Sequence, residues 1–179
     1  MHTPPFRKLI IAIATAACGF MMPIASVAKQ PNPEFKLDCA MRAPQQVRVG
    51  NPVLLTFDLH NRGDKAVAVL MRNTPFEGFL GQYLNIVGPR GKLDYGGAMV
   101  KRGAPNTDEY LRIRSHAKRT RTINIAEVYA FDTPGKYRIQ FTGSLQDVTL
   151  QKDPYPQNQL TPHTLKCAEI VIEMVPGKV

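Results

Sequence analysis

The sequence predicts an all-β protein, an immunoglobulin-like β-sandwich of about 7–9 antiparallel strands. Three observations carry that expectation. Apolar and polar residues alternate with period two in several short segments, as half-buried strands require. Those segments recur at regular spacing between turn signals, with no convincing amphipathic helix among them. The chain also holds 15 prolines, 13 glycines and no tryptophan in 179 residues, punctuation that suits short strands better than long helices.

Taken in order, residues 34–41 alternate, with Phe35, Leu37, Cys39 and Met41 on one face. Residues 53–59 alternate as well, with Val53, Leu55, Phe57 and Leu59 inward and Thr56 and Asp58 outward. Asn61-Arg62-Gly63-Asp64 then reads as a turn, and residues 66–71 as the hairpin partner. Its Arg-Gly-Asp tripeptide matches an integrin-ligand motif, but a tight turn between strands explains it better. Residues 83–87 form a strand that Pro89-Arg90-Gly91-Lys92 turns into Leu93-Asp94-Tyr95. Residues 96–106 are a loop rich in glycine and proline. Residues 110–113 and 120–125 are expected to pair around Ser115-His116-Ala117-Lys118.

Asp132-Thr133-Pro134-Gly135 leads into residues 136–141, with Tyr137, Ile139 and Phe141 on one face. The set Asp132, Gly135 and Tyr137 resembles the tyrosine corner of immunoglobulin-like sandwiches, whose phenol bonds nearby backbone. Residues 146–161 carry two prolines, with Pro162 directly after them, and read as a long loop. Ala168, Ile170, Ile172 and Met174 make the last strand. Cys167 has the opposite parity, so either a bulge precedes that strand or the cysteine sits at the sandwich end.

The first 28 residues read as a cleavable export signal. Arg7 and Lys8 supply a positive end, residues 9–22 an apolar stretch, and Ser26-Val27-Ala28 a small-residue cleavage site. A lipoprotein site at Cys18 and an uncleaved anchor are the competing readings; the apolar run is short for an anchor. Residues 29–179 are then a single domain, large enough to bury one core. No later apolar run could span a bilayer. The expected location is the periplasm or the medium.

Cleavage would remove Cys18 and leave Cys39 and Cys167. Two thiols in an oxidising compartment most simply form one disulfide, closing a loop of nearly the whole domain. A metal site would need more ligands, and His60, His116 and His163 are far apart in sequence, so no metal or other cofactor is expected. The 23 basic residues outnumber the 14 acidic ones. Their densest cluster is Arg112, Arg114, Lys118, Arg119 and Arg121, which reads as a solvated strand pair or as a basic face for an acidic partner. No aromatic residues alternate with these bases, which disfavours nucleic acid as a partner.

Enzyme motifs are absent. There is no His-Glu-x-x-His helix, Gly-x-Ser-x-Gly elbow or phosphate-cradling glycine loop. Asp108-Glu109 reads as a solvated loop before a strand.

Several blocks between residues 51 and 141 carry a resemblance. They are Phe57-Asp58-Leu59-His60-Asn61, Asn73-Thr74-Pro75-Phe76-Glu77-Gly78, Val100-Lys101-Arg102-Gly103-Ala104-Pro105, Tyr110, Ala126-Glu127-Val128-Tyr129 and residues 132–137. In order and spacing they resemble the N-terminal domain that precedes the catalytic domain of deuterolysin-type (aspzincin) zinc metalloendopeptidases. That resemblance implies a pro-region-like module that helps a protease fold or masks it. The family's zinc-binding histidine motif and downstream aspartate do not occur here, so no peptidase residue is carried over.

Thr74, Pro75, Phe76 and Glu77, with Lys101 and Arg102, are therefore candidate protein-contact residues. A plainer reading makes the same loop an internal lock, with Lys101 or Arg102 pairing Glu77, since a buried carboxylate needs a partner. The expected function is non-enzymatic binding of another exported protein, a secreted metalloprotease first of all. The alternative is an envelope module whose basic face holds an anionic surface polymer.

Overall fold

Alternation decides which strand faces reach the core, and the core decides how the sheets stack. The computed structural model describes residues 35–150 and 160–177; the expected leader, residues 1–28, lies outside them. The described residues all belong to one unit, Asn32–Val179. Among the described residues, eleven strands run in order: β1 Leu37–Arg42, β2 Gln46–Arg48, β3 Leu54–Asn61, β4 Val67–Leu70, β5 Leu84–Gly88, β6 Gly91–Lys92, β7 Tyr110–Ile113, β8 Lys118–Asn124, β9 Gly135–Phe141, β10 Val148–Thr149 and β11 Ile170–Val175. Eight have four or more residues and three are shorter.

They form sheets β1-β3-β8, β10-β4-β7 and β2-β11-β9-β5-β6. This is the β-sandwich that the alternation predicted. Leu55, Phe57 and Leu59 of β3 are fully buried, as are Ile86, Ile139 and Ile172 of the five-stranded sheet. Phe57 meets Phe141 of β9 at 5.2 Å between ring centroids, which marks the contact between layers. One pair departs from the antiparallel expectation: β2 runs parallel to β11, Glu173 opposite Gln46.

Two expected hairpins are corrected. β3 pairs with β1 and β8, not with β4; β4 pairs with β10 and β7. Register explains how. Leu54 to His60 lie opposite Asn124 to Lys118, and Val67 to Leu70 lie opposite Ile113 to Tyr110. The two segments thus travel as one ribbon that turns a corner together, and the turn residues bend the ribbon without reversing the chain. Asn61, 1% exposed, fastens the corner. Its amide N–H donates to Ala117 O at 2.9 Å, and its Nδ2 donates to Lys65 O, Ile113 O and Arg114 O. His116 reaches Asp64 across the same corner at 3.0 Å. All four β4 residues are buried, the pattern of a strand covered on both faces rather than a half-solvated hairpin arm.

Smaller differences follow from local packing. The β5–β6 ladder ends one bond beyond Lys92, where Leu93 N donates to Ile86 O. Tyr95 leaves it to stack near Tyr129 at 5.5 Å. The stretch read as a long loop contains the short strand β10, and residues 151–159 lie outside the described ones. Ala168 is exposed and precedes β11. Cys167 also lies before that strand, so its parity needs no bulge. Its disulfide to Cys39 on β1 has a Cα–Cα distance of 5.1 Å.

The tyrosine corner forms as expected. Tyr137, 1% exposed, donates its hydroxyl to Thr133 O at 2.8 Å. Gly135 holds φ at +135°, and a Cβ there would lie 2.5 Å from Pro89 Cγ, so only glycine fits both demands. Asp132 pairs with Arg90; that bond and a second from the Thr133 hydroxyl hold its carboxyl below the usual range.

Candidate functional site

The loops joining β4 to β5 and β6 to β7 meet at one end of the sandwich. Thr74 builds the first of them. Its Oγ1 donates to Met71 O at 2.6 Å and accepts from Phe76 N at 3.3 Å, the local bonding that lets threonine shape a tight turn. Glu77 N and Gly78 N continue with bonds to Thr74 O and Pro75 O. Gly78 sits at φ +86°, and its carbonyl accepts the Tyr83 hydroxyl at 3.0 Å. Phe76 turns inward and meets Phe57 edge-on at 5.7 Å.

Beneath this turn, charges are matched. Arg72 is 6% exposed. Its Nε and Nη2 donate to the two Glu109 oxygens at 3.1 and 2.7 Å, and its Nη1 donates to Gly103 O at 2.8 Å. Such a fork-to-carboxylate pair has the strongest geometry available to a buried ion pair. The bond from Arg72 is the main reason the Glu109 carboxyl lies below its ordinary range. Glu109 also accepts from Asn106 N at 2.7 Å, which closes the 3-10 turn Thr107–Glu109.

Glu77 pairs with Arg102 at 2.6 Å. Tyr110 donates to Asp147 Oδ2 at 2.6 Å, and Asp147 Oδ1 accepts from Thr161 N at 2.7 Å. Burial, then the Asp147 bond, pushes the Tyr110 phenol upward. Each of these groups is held by a partner.

Above the matched base the surface is apolar and open. Met99 is 74% exposed, Val100 47% and Leu80 39%. With Lys101, Arg102 and Arg72 they line a hollow of about 380 Å³. Methionine is unbranched and adaptable, so its side chain can follow an irregular surface.

The expected contact residues are therefore divided. Thr74 and Pro75 are buried, Phe76 and Glu77 are partly buried, and these four act as the lock. Arg102, rather than Lys101, is the partner of Glu77. Lys101 stays exposed and belongs to the open tip. The pair Asp108-Glu109 is likewise corrected: Asp108 is solvated, but Glu109 is the partly buried anion that pairs the buried Arg72. The Asn106-x-x-Glu109 spacing, a capping-box signature, was the available signal. Nothing in the local sequence marks Arg72 as buried, because its partners lie in a distant loop.

The basic cluster does not form one face. Pairing places Lys118 beside His60 and Thr120 beside Asp58, on the outer side of sheet β1-β3-β8. Arg119 and Arg121 stand opposite Leu59 and Phe57 on the core-facing side. They lie on an edge strand, where inward-pointing charge discourages edge-to-edge pairing. Arg119 donates to Arg112 O at 3.1 Å, and Arg112 and Arg114 belong to or follow the neighbouring sheet's β7.

Among the described residues, no three His, Cys, Asp or Glu side chains converge as a metal-ligand set, and no helix is long and apolar enough to cross a membrane. No protein-family model matches the chain, nor does any curated protein. Among solved structures it is similar to the CARDB domain of the PF1109 protein from Pyrococcus furiosus, in complex with di-metal ions. That likeness has 9% identity over 80% of this chain and 96% of that chain, with a TM-score of 0.35. It is also similar to the structural genomics target SoR45, with 12% identity over 83% and 92% and a TM-score of 0.38. Likenesses this distant carry no residue role or activity across.

Proposed function

We propose that the chain is an exported, non-enzymatic β-sandwich module that binds another protein through the loop tip formed by Leu80, Met99, Val100 and Lys101. One observation carries the reading: three large apolar side chains stand exposed together on loops whose base is locked by the Arg72–Glu109 and Glu77–Arg102 pairs. Leaving apolar surface in water is unfavourable, and ordering a loop beforehand removes an entropic cost of association. A rigid base with an apolar tip is what a binding loop requires.

Export is supported by the leader-like first 28 residues and by the Cys39–Cys167 disulfide, since such bonds persist in oxidising compartments. A secreted metalloprotease is the first partner to test, because the Thr74-Pro75-Phe76-Glu77-Gly78 and Lys101-Arg102-Gly103-Ala104-Pro105 blocks resemble the front domain of deuterolysin-type enzymes. The module would occupy the protease cleft or support its folding without chemistry of its own. The test titrates a deuterolysin-type protease with the purified domain, following peptide hydrolysis and complex formation together. Saturable, stoichiometric binding is expected; absence of any complex rejects this partner.

A further inference from the structure

The outer side of sheet β1-β3-β8 carries a second hollow, of about 620 Å³, bordered by Asp38, Asp58, His60, Arg62, Lys118 and Lys166, with Cys39 and Thr164 also in its wall. Its hydrogen-bonding capacity is lopsided. Asp58, 5% exposed, accepts Thr120 Oγ1 on Oδ1 at 2.6 Å, while its Oδ2 meets Arg42 at 2.8 Å and Lys118 at 3.5 Å. Arg62 Nε donates to Asp38 Oδ2 at 2.7 Å. Three of the four carboxylate oxygens are thus committed.

The donors are not. Arg62 uses Nε and keeps its terminal nitrogens. Lys118 has only the long contact to an aspartate that Arg42 already neutralises. Among the described residues, neither Lys166 nor His60 has an ion-pair or side-chain hydrogen-bond partner. Different devices bring these cations to one place. Ladder register sets Lys118 beside His60, the ribbon corner presents Arg62, and the disulfide at Cys167 holds Thr164 and Lys166 against β1.

We propose that this hollow binds a phosphate-type oxyanion, gripped by Lys118, Lys166 and the free end of Arg62. Cations in excess of the anions beside them repel one another, and a multiply charged acceptor relieves that repulsion while taking the uncommitted donors. The site is separate from the loop tip and does not depend on the protein-binding reading.

The experiment measures binding by the full disulfide-bonded chain at low salt, with inorganic phosphate in one arm and phosphatidylglycerol vesicles in the other. The expected result is salt-sensitive binding that falls about tenfold in Lys166→Glu and again in Lys118→Gln, with unchanged thermal unfolding for Lys166→Glu. Lys101→Glu, in the distant loop, should bind as the parent does. Binding in the phosphate arm assigns a free oxyanion. Binding confined to the vesicles, and lost in the same variants, assigns a lipid headgroup. No binding in either arm, or binding untouched by both substitutions, overturns the proposal.

Discussion

The two charged regions of this molecule differ in how completely they are matched. Around Arg72, the guanidinium meets both oxygens of Glu109 and the Gly103 carbonyl, and Arg102 answers Glu77. Around Asp58, cations exceed the anions that could hold them. Matched buried charge fixes a shape, because removing either partner strands the other in a poorly solvated place. Surplus charge in an open hollow does little for the fold and leaves capacity for a ligand. Similar residue types thus serve different ends, and accounting for each donor and acceptor separates them.

The largest effect should come from the cross-link that supports the open region. Replacing Cys39 and Cys167 together by alanine should cost about 2–5 kcal/mol in urea unfolding, given the 128-residue separation they bridge. Arg72→Ala should follow at about 3 kcal/mol, reduced if water reaches Glu109. Lys166→Ala, in the surplus region, should stay within about 0.5 kcal/mol. Equal losses for these two variants would erase the contrast.

Acid should expose the same difference. The folded carboxyls of Glu109 and Asp58 lie below their ordinary values of 4.5 and 3.8. For Glu109 the Arg72 bond leads. For Asp58, burial works upward, and the Thr120 bond with Arg42 and Lys118 outweighs it. A depressed carboxyl stabilises the fold fully above its unfolded pKa, and that stability is lost as pH falls through the folded one. Unfolding free energy should therefore decline as pH drops from about 5 toward 3. Glu109→Gln should flatten that slope, and an unchanged slope would show that the pair contributes nothing to it. A smaller loss, about 1 kcal/mol, is expected for Tyr137→Phe, which leaves Thr133 O without its donor. Urea midpoints at constant slope would measure it.

How much of this was legible in the sequence varies with the range of the interaction. Period-two alternation marked β1, β3 and β9 and their buried faces, because a strand's inward side depends mainly on its own residues. The tyrosine corner was visible for the same reason: Asp132, Gly135 and Tyr137 are close neighbours. Pairing was not local. Nothing between Asn61 and Lys65 distinguishes a hairpin from a ribbon bending with its partner; that choice rests on Asn61 reaching backbone near Ile113. At the loop end, the Thr74–Glu77 block stood out by composition, yet its role as a lock depended on Phe57 and Arg102 from other segments. Arg72 and the hollow beside the disulfide were invisible for the same physical reason.

In the proposed function the loop base holds shape and the tip binds. Its most direct test compares Met99→Asp/Val100→Asp with the parent in one experiment, measuring unfolding and affinity for a secreted metalloprotease. Stability should stay within about 0.5 kcal/mol of the parent, and affinity should be at least about tenfold weaker. Undiminished affinity in a stably folded double variant would contradict it.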